Sequence, residues 1–163
     1  MLIFGHRGAR GHAPENTMAS FRTALEMGVD GIELDVQQTK DGKVVVCHDH
    51  ALERISNGKG WLSEHTREEL FQLDFGSWFA PQFAGAKIPT LREVLQWAAP
   101  TKLLVNIEIK NGPIIHEKIE EKVAALIRES RMVDRVIVSS FYHPTLLRMK
   151  QLDPMIKTGL LYA

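Results

Sequence analysis

Charged and imidazole side chains stand at the ends of four short apolar runs, where the strands of a buried sheet would end. The four groups are His6-Arg7, Glu33-Leu34-Asp35, His48-Asp49 and Asn106-Ile107-Glu108-Ile109-Lys110. A charge inside an apolar strand is costly unless it is paired or binds a metal ion. Several strands that carry such charges at corresponding positions therefore predict one shared polar site. Its histidines, carboxylates, arginine and lysine indicate metal-assisted phosphate chemistry.

The acidic residues of this site are placed to share a cation. Glu33 and Asp35 are separated by one residue, so both carboxylates leave the same face of a strand. Glu108 would join them from a neighbouring strand. Three converging carboxylates would repel, and at least one would have to hold a proton. Mg²⁺ or Ca²⁺ removes this conflict because both ions take oxygen ligands. The alternative interpretation is a solvated acidic pair at a strand end.

Two histidines and two cations complete the predicted chemistry. His6 and His48 each follow a strand, and imidazoles can serve as general acid and base near neutral pH. Either one alone is more often an ordinary strand-end histidine, but together with the carboxylates they favour catalysis. Arg7 suits bidentate contact with a phosphate, and Lys110 supplies a point charge to the same group. Salt bridges from Arg7 and Lys110 to the carboxylates are the alternative, and they can coexist with phosphate binding.

Other polar residues lie close to these groups in the sequence. We expect Asp49 and Asn106 to orient the residues that react. Glu15, in the loop after the first strand, is either a neighbour of the metal or substrate or part of a helix start. Cys47 lies among valines and is expected to be a small core residue. Structural or surface roles are expected for the remaining histidines, which are His12, His50, His65, His116 and His143.

The elements that must position these residues alternate between strands and helices, which indicates a parallel sheet. Strands are predicted over 2–5, 31–37, 103–109, 136–140 and 158–162. Helices are predicted from Asn16-Thr17 to Gly28 and over 90–99, 113–130 and 144–152. Asp41-Gly42 predicts a hairpin turn, after which residues 43–47 return as a strand. Residues 50–89 break the alternation and are interpreted as an insertion with a small aromatic core and a short helix over 66–72.

The faces of the second strand indicate the kind of sheet. Ile32, Leu34 and Val36 point one way, and Glu33 and Asp35 point the other way. In a (β/α)8 barrel the apolar face packs against the helices, and active sites lie at the C-terminal strand ends. An open doubly wound sheet fits less well, because no glycine-rich phosphate fingerprint follows the first strand.

We therefore predict an α/β fold of the TIM (β/α)8 type. About the first five of the eight βα units are present, with a small insertion after strand 2. The chain is predicted to form a single partial barrel domain over 1–163, with residues 50–89 as an insertion subdomain within it.

Composition narrows the functional class. The 163 residues suffice for one domain with a core. Twenty Lys and Arg residues balance twenty Asp and Glu residues, which argues against a nucleic-acid partner. We see neither a signal peptide nor a membrane span and expect a soluble, cytoplasmic protein. The exposed edges of a five-stranded sheet would favour pairing with a second copy of the chain.

The ordered set of motifs is specific. It consists of His6-Arg7-Gly8, Pro14-Glu15-Asn16-Thr17, Glu33-Leu34-Asp35-Val36, Asp41-Gly42, His48-Asp49 and Ile107-Glu108-Ile109-Lys110. This set resembles the glycerophosphodiester phosphodiesterase family over the whole chain. The resemblance implies a TIM barrel and metal-dependent hydrolysis of glycerophosphodiesters to glycerol 3-phosphate and an alcohol. Carried over by position, it implies the metal ligands Glu33, Asp35 and Glu108, the acid and base His6 and His48, and the phosphate ligands Arg7 and Lys110.

Two other functions are kept beside this one. The first is a related barrel phospholipase that acts on intact lipids, against which the lack of a membrane-binding stretch argues. The second is a non-catalytic, truncated form that binds only metal or phosphate. Members of the family normally continue through three more strands, which complete the pocket wall. The short chain favours the non-catalytic form, whereas the intact motifs favour the phosphodiesterase.

Overall fold

The computed structural model describes residues Met1–Ala163, with six strands and five α-helices. The strands are β1 (Phe4–His6), β2 (Gly31–Gln38), β3 (Val44–Val46), β4 (Leu104–Ile109), β5 (Val136–Ser140) and β6 (Lys157–Leu160). The helices are α1 (Met18–Glu26), α2 (Arg67–Phe71), α3 (Leu91–Ala98), α4 (Ile119–Glu129) and α5 (His143–Leu152). None of the helices combines the length and the apolar character that a membrane crossing requires.

Five parallel strands form one sheet whose order follows the chain, β1-β2-β4-β5-β6. β3 pairs with β2 in the antiparallel direction, as the Asp41-Gly42 turn predicts. The register sets His6 beside Glu33, and Asp35 beside Glu108. The predicted α/β class with a parallel sheet is therefore confirmed, and the predicted polar residues come together at one end of neighbouring strands.

The core lies between the sheet and its helices. Ile32, Leu34 and Val36 of β2 are fully buried, and β4 alternates between buried apolar and partly buried polar positions. These side chains belong to one cluster of 25 buried residues, to which α1, α3, α4 and α5 contribute. The alternation read from the sequence is thus confirmed. It leaves the opposite face of β2 and β4 free for polar groups.

Side-chain caps fix where three helices begin. Thr17 accepts a hydrogen bond from the backbone of Ser20 and caps α1. Thr66 with Glu69, and Thr90 with Glu93, form reciprocal capping boxes at α2 and α3. Each cap satisfies backbone donors that a helix leaves unpaired and is worth about 1 kcal/mol. The helix predicted over 90–99 is thus observed as α3, with Thr90 as its cap.

Helix α4 begins at Ile119, six residues later than the sequence predicted from Pro113. The backbone of the intervening loop finds partners of its own. The Asn111 Oδ1 accepts a hydrogen bond from the His116 backbone, and the Gly112 N–H donates to the carbonyl of Ile114. The loop therefore makes these two hydrogen bonds in place of a helical turn.

The core shared by the insertion and β3 is mainly aliphatic, with Phe75 as its one aromatic member, so the predicted aromatic core is wrong. Its buried cluster holds Val45, Cys47, Leu52, Ile55, Leu62, Leu70, Phe75 and Ile88. Trp61, Phe71 and Trp78 are exposed. Phe71 and Trp78 contact cations instead. Arg67 and Lys87 lie over the Phe71 ring, and Arg54 lies over the Trp78 ring. Cys47 is buried, as expected, and burial raises the pKa of its thiol.

Candidate active site

Three carboxylates converge near the C-terminal ends of β1 and β4, two of them from the part of β2 that lies between these strands. One oxygen from each of Glu33, Asp35 and Glu108 lies within 4.8 Å of the other two. Asp35 is only 1% exposed, and its Oδ2 accepts a hydrogen bond of 2.9 Å from the Asn16 side-chain amide. The Asp35 Oδ1 is buried without a hydrogen-bond partner. The three carboxylates therefore lie together, as the sequence predicted.

Burial and mutual repulsion raise the pKa values of this cluster. Loss of solvation, followed by the charge of Asp35, raises the pKa of Glu33 from 4.5 to about 8. Burial also raises the pKa of Glu108, against the opposing hydrogen bond from Lys110. A divalent cation bound by oxygen ligands would neutralise the repulsion and use the unpaired Asp35 oxygen. The donor set and the orphaned oxygen therefore fit a Mg²⁺ or Ca²⁺ ion.

Lys110 lies beside the carboxylates, as the sequence predicted. Its Nζ donates to Glu108 Oε1 over 2.9 Å and lies 3.7 Å from Asp35 Oδ1. These contacts are the salt bridges that the sequence offered as the alternative to phosphate binding. They leave the ammonium group at the rim of the cluster, where it remains partly exposed.

Arg7 directly follows β1. Its backbone has a left-handed conformation with φ 55°. Its backbone N–H donates to Glu33 Oε2 over 3.0 Å, and its Nη1 donates to Glu15 Oε1 over 3.0 Å. Its Nε is buried without a hydrogen-bond partner and lies 3.6 Å from Asp35 Oδ2. The adjacent Gly8 is sterically required, because a Cβ there would lie 2.4 Å from the Ser20 Oγ.

The two predicted histidines differ in their surroundings. His6 is half-exposed, and its Nε2 lies 3.8 Å from Glu33 Oε2. Burial, followed by the charges of Arg10 and Arg7, lowers the pKa of His6. The Nδ1 of His48 lies 2.8 Å from Asp49 Oδ1. Because an ionised carboxylate only accepts hydrogen bonds, the neutral form of His48 would carry its proton on Nδ1 and a lone pair on Nε2.

Arg54, which no motif of the sequence indicated, joins Asp49 to Glu15. The guanidinium of Arg54 donates to both carboxylates. The Arg54 hydrogen bonds, followed by the contact with His48, lower the pKa of Asp49 from 3.8 to about 2. Glu15 also has a lowered pKa, because hydrogen bonds and charge from Arg54 and Arg7 outweigh its burial. Glu15 is therefore a neighbour of the site and not part of the α1 cap.

Two amides support the site and were also missed as site residues. Gln37 is fully buried, and its Nε2 donates to the carbonyls of Cys47, His48 and Asp49. Its Oε1 lies 2.9 Å from the Nδ1 of His50, which gives that histidine a structural contact at the edge of the site. Asn16, predicted as the start of a helix, instead donates its side-chain amide to Asp35. The alternation of Gln37 with Glu33 and Asp35 on one strand face was the available signal.

Asn106 lies one step further from the strand end than Glu108. Its Oδ1 accepts a hydrogen bond of 2.9 Å from Ser139 Oγ on β5. In the β2–β4 register it stands beside Glu33. Its expected role in orienting the reacting groups stays a prediction, since its side chain is engaged with β5.

The chain is similar to proteins of one family. A sequence model of the glycerophosphoryl diester phosphodiesterase family matches residues 6–163. A glycerophosphodiester phosphodiesterase of Caldanaerobacter subterraneus is 48% identical over 161 residues, which cover 99% of this chain and 66% of that protein. A glycerophosphodiester phosphodiesterase of Bacillus altitudinis is 44% identical, with 98% of this chain and 65% of the relative covered.

Solved structures agree with these matches. A glycerophosphodiester phosphodiesterase from Agrobacterium tumefaciens superposes with a TM-score of 0.88 at 36% identity, covering 97% of this chain and 65% of that one. An Oleispira antarctica phosphodiesterase, solved in complex with the product sn-glycerol-3-phosphate, gives a TM-score of 0.85 at 33% identity. The match covers 98% of this chain and 65% of the Oleispira antarctica protein. The chain thus spans about two thirds of the length of these relatives and belongs to the glycerophosphoryl diester phosphodiesterase family.

Proposed function

We propose that this chain carries the site for metal-dependent hydrolysis of glycerophosphodiesters to glycerol 3-phosphate and an alcohol. The observation that carries the proposal is the carboxylate cluster, whose Asp35 Oδ1 is buried without a hydrogen-bond partner, with Arg7, Lys110 and His6 beside it. The product bound to the Oleispira antarctica relative supports this substrate class. Glu33, Asp35 and Glu108 would hold Mg²⁺ or Ca²⁺, which supplies charge neutralisation and polarisation at the phosphoryl group when bound.

Arg7 and Lys110 are proposed to bind the phosphate. The Arg7 Nε has no hydrogen-bond partner in the protein, so an anionic oxygen would satisfy a donor that is otherwise costly to bury. Lys110 adds a second positive charge beside Asp35 and Glu108. Both groups already balance acidic neighbours, and substrate binding adds contacts to them without removing their salt bridges.

The histidines are proposed to move protons. The His48 Nε2 carries the lone pair, so it accepts the proton of the attacking hydroxyl while a new P–O bond forms. Asp49 stabilises the imidazolium that results, since it holds the opposite ring nitrogen. His6 then donates a proton to the leaving oxygen as the ester P–O bond breaks. The nucleophile is either water or the glycerol 2-hydroxyl; in the second case the first step releases the alcohol and leaves a cyclic phosphate, and water then opens one ring P–O bond to give glycerol 3-phosphate.

We also infer that the five parallel strands are the first five of a (β/α)8 barrel and that residues 50–89 are an insertion in it. The strand order, which follows the chain, supports this inference because barrel strands are paired in sequence. The high similarity to phosphodiesterase structures supports it as well. The chain would then present a partial barrel whose C-terminal strand ends carry the site.

Turnover of glycerophosphocholine by the chain and by two histidine variants tests the proposal. His48→Asn should abolish release of glycerol 3-phosphate, whereas His65→Asn should leave it unchanged. His65 is a suitable control because its Nδ1 contacts only the Trp61 carbonyl, away from the site. Equal turnover by both variants would contradict the role of His48. Preferential cleavage of phosphatidylcholine would favour the phospholipase, and calcium binding without turnover of either substrate would favour the non-catalytic form.

A further inference from the structure

We infer that Arg54 is a positioning residue that fixes the His48 ring through Asp49 and the Arg7 guanidinium through Glu15. The inference rests on the proposed function and extends it to a residue in the loop after β3. Arg54 itself lies outside the carboxylate cluster and contacts none of the three proposed metal ligands. It would act only through the two carboxylates that it holds.

One guanidinium spans both acidic partners. Its Nε and Nη2 donate to the two oxygens of Asp49 over 2.7 and 2.9 Å. Its Nη1 and Nη2 donate to the two oxygens of Glu15 over 3.0 and 2.7 Å. Two bidentate contacts on adjacent edges of one planar group fix its orientation. They also fix the separation of Glu15 from Asp49, which lie on different loops.

Each of the two carboxylates also contacts a residue of the proposed active site. Asp49 Oδ1, which Arg54 holds, also contacts the His48 Nδ1 at 2.8 Å. Glu15 Oε1, which Arg54 also holds, accepts the Arg7 Nη1 at 3.0 Å. Arg54 is thus the centre of a chain of alternating charges that runs from the proposed base to the proposed phosphate ligand.

Trp78, also in the insertion, contacts the Arg54 guanidinium. The Arg54 guanidinium carbon lies 5.6 Å from the centroid of the Trp78 ring. Lysine could keep the positive charge there, but its single ammonium group cannot reproduce two bidentate contacts. The Arg54 side chain is 47% exposed at the edge of the site, and its loss should appear in the geometry of the side chains that it holds.

The test compares Arg54→Lys with Arg67→Lys. Arg67 is a matched control, because it also lies in the insertion, pairs with Glu93 and stacks on Phe71, but has no contact with the site. Nitrogen-15 NMR of the histidine rings reports the tautomer of His48, with His48→Asn giving the assignment. We expect the Nδ1–H form in the wild type and in Arg67→Lys, and a mixture of tautomers in Arg54→Lys. An unchanged His48 tautomer in folded Arg54→Lys would overturn the inference.

Turnover and chemical rescue provide the second readout. The kcat of Arg54→Lys for glycerophosphocholine should fall by about tenfold or more, as for other residues that orient a reacting group. Millimolar methylguanidinium should restore part of the kcat to Arg54→Ala and nothing to His48→Asn. A lost kcat that methylguanidinium does not restore, with an unchanged His48 tautomer, would assign Arg54 a purely structural role. No turnover by the wild type would contradict the proposed function, while the tautomer would still decide the positioning role.

Discussion

Binding of a divalent cation should release about one proton from the carboxylate cluster at neutral pH. Glu33 has a pKa of about 8 in the absence of a metal ion. One pH unit below that value, ten protonated groups exist for each ionised one, so about nine-tenths of Glu33 holds a proton at pH 7. A metal ion requires the ionised carboxylate and therefore displaces this proton.

The sign of the pH dependence follows from the same pKa. Protons compete with the metal ion below pH 8, so the affinity should rise by up to about tenfold for each pH unit between 6 and 8. At higher pH the carboxylate is increasingly ionised before the metal binds, so fewer protons should be released. A site built from carboxylates with ordinary pKa values would show neither effect at neutral pH.

Isothermal titration calorimetry with Mg²⁺ and Ca²⁺ measures this proton directly. Titrations at pH 7 in PIPES and in Tris, which differ in ionisation enthalpy, give the number of released protons from the difference in observed heat. Glu33→Gln should lose binding, whereas Glu68→Gln, on the exposed side of α2, should keep it. Binding at pH 7 with equal heats in both buffers, or binding by Glu33→Gln, would refute the reasoning.

Three further outcomes follow from the structure. Burial lowers the pKa of His116 from 6.5 to about 4. The free energy of unfolding should therefore fall by up to about 3 kcal/mol as the pH drops from 6.5 to 4. Urea titrations should show a smaller fall in His116→Phe. Thr90→Ala should lower the free energy of unfolding by about 1 kcal/mol in urea, through loss of the α3 cap, whereas Thr23→Ala inside α1 should cost less. Strands β1 and β6 each have one neighbour, so we predict self-association in sedimentation velocity, which a single monomer boundary at all concentrations would contradict.

The strands and the carboxylate cluster were predictable because they depend on local rules. Alternation on β2 separates Leu34 from Asp35, and register between parallel neighbours brings Glu108 to the same side. Capping at Thr90 is likewise written in four consecutive residues. Such features need only the period of a strand or helix and the burial of its apolar face.

The supporting contacts were not predictable, because they join residues far apart in the chain. Arg54 reaches Glu15 across 39 positions, and neither residue stands in a pattern that requires the other. Asn16 belongs to a segment that suggests a helix cap, yet its amide binds Asp35 because the loop after β1 folds over the end of β2. The exposed aromatics of the insertion were also misjudged, and two of them contact cations: Arg67 and Lys87 lie over Phe71, and Arg54 lies over Trp78.

Release of glycerol 3-phosphate from glycerophosphocholine by this chain, with Mg²⁺ or Ca²⁺ and with EDTA, tests the central claim most directly. The proposed site predicts turnover with at least one of the two ions, and its loss in EDTA and in Glu108→Gln. Turnover that is equal in EDTA, or turnover that survives in Glu108→Gln, would contradict a cation site built from these carboxylates. No release under any condition, with the ion bound, would contradict catalysis by this chain.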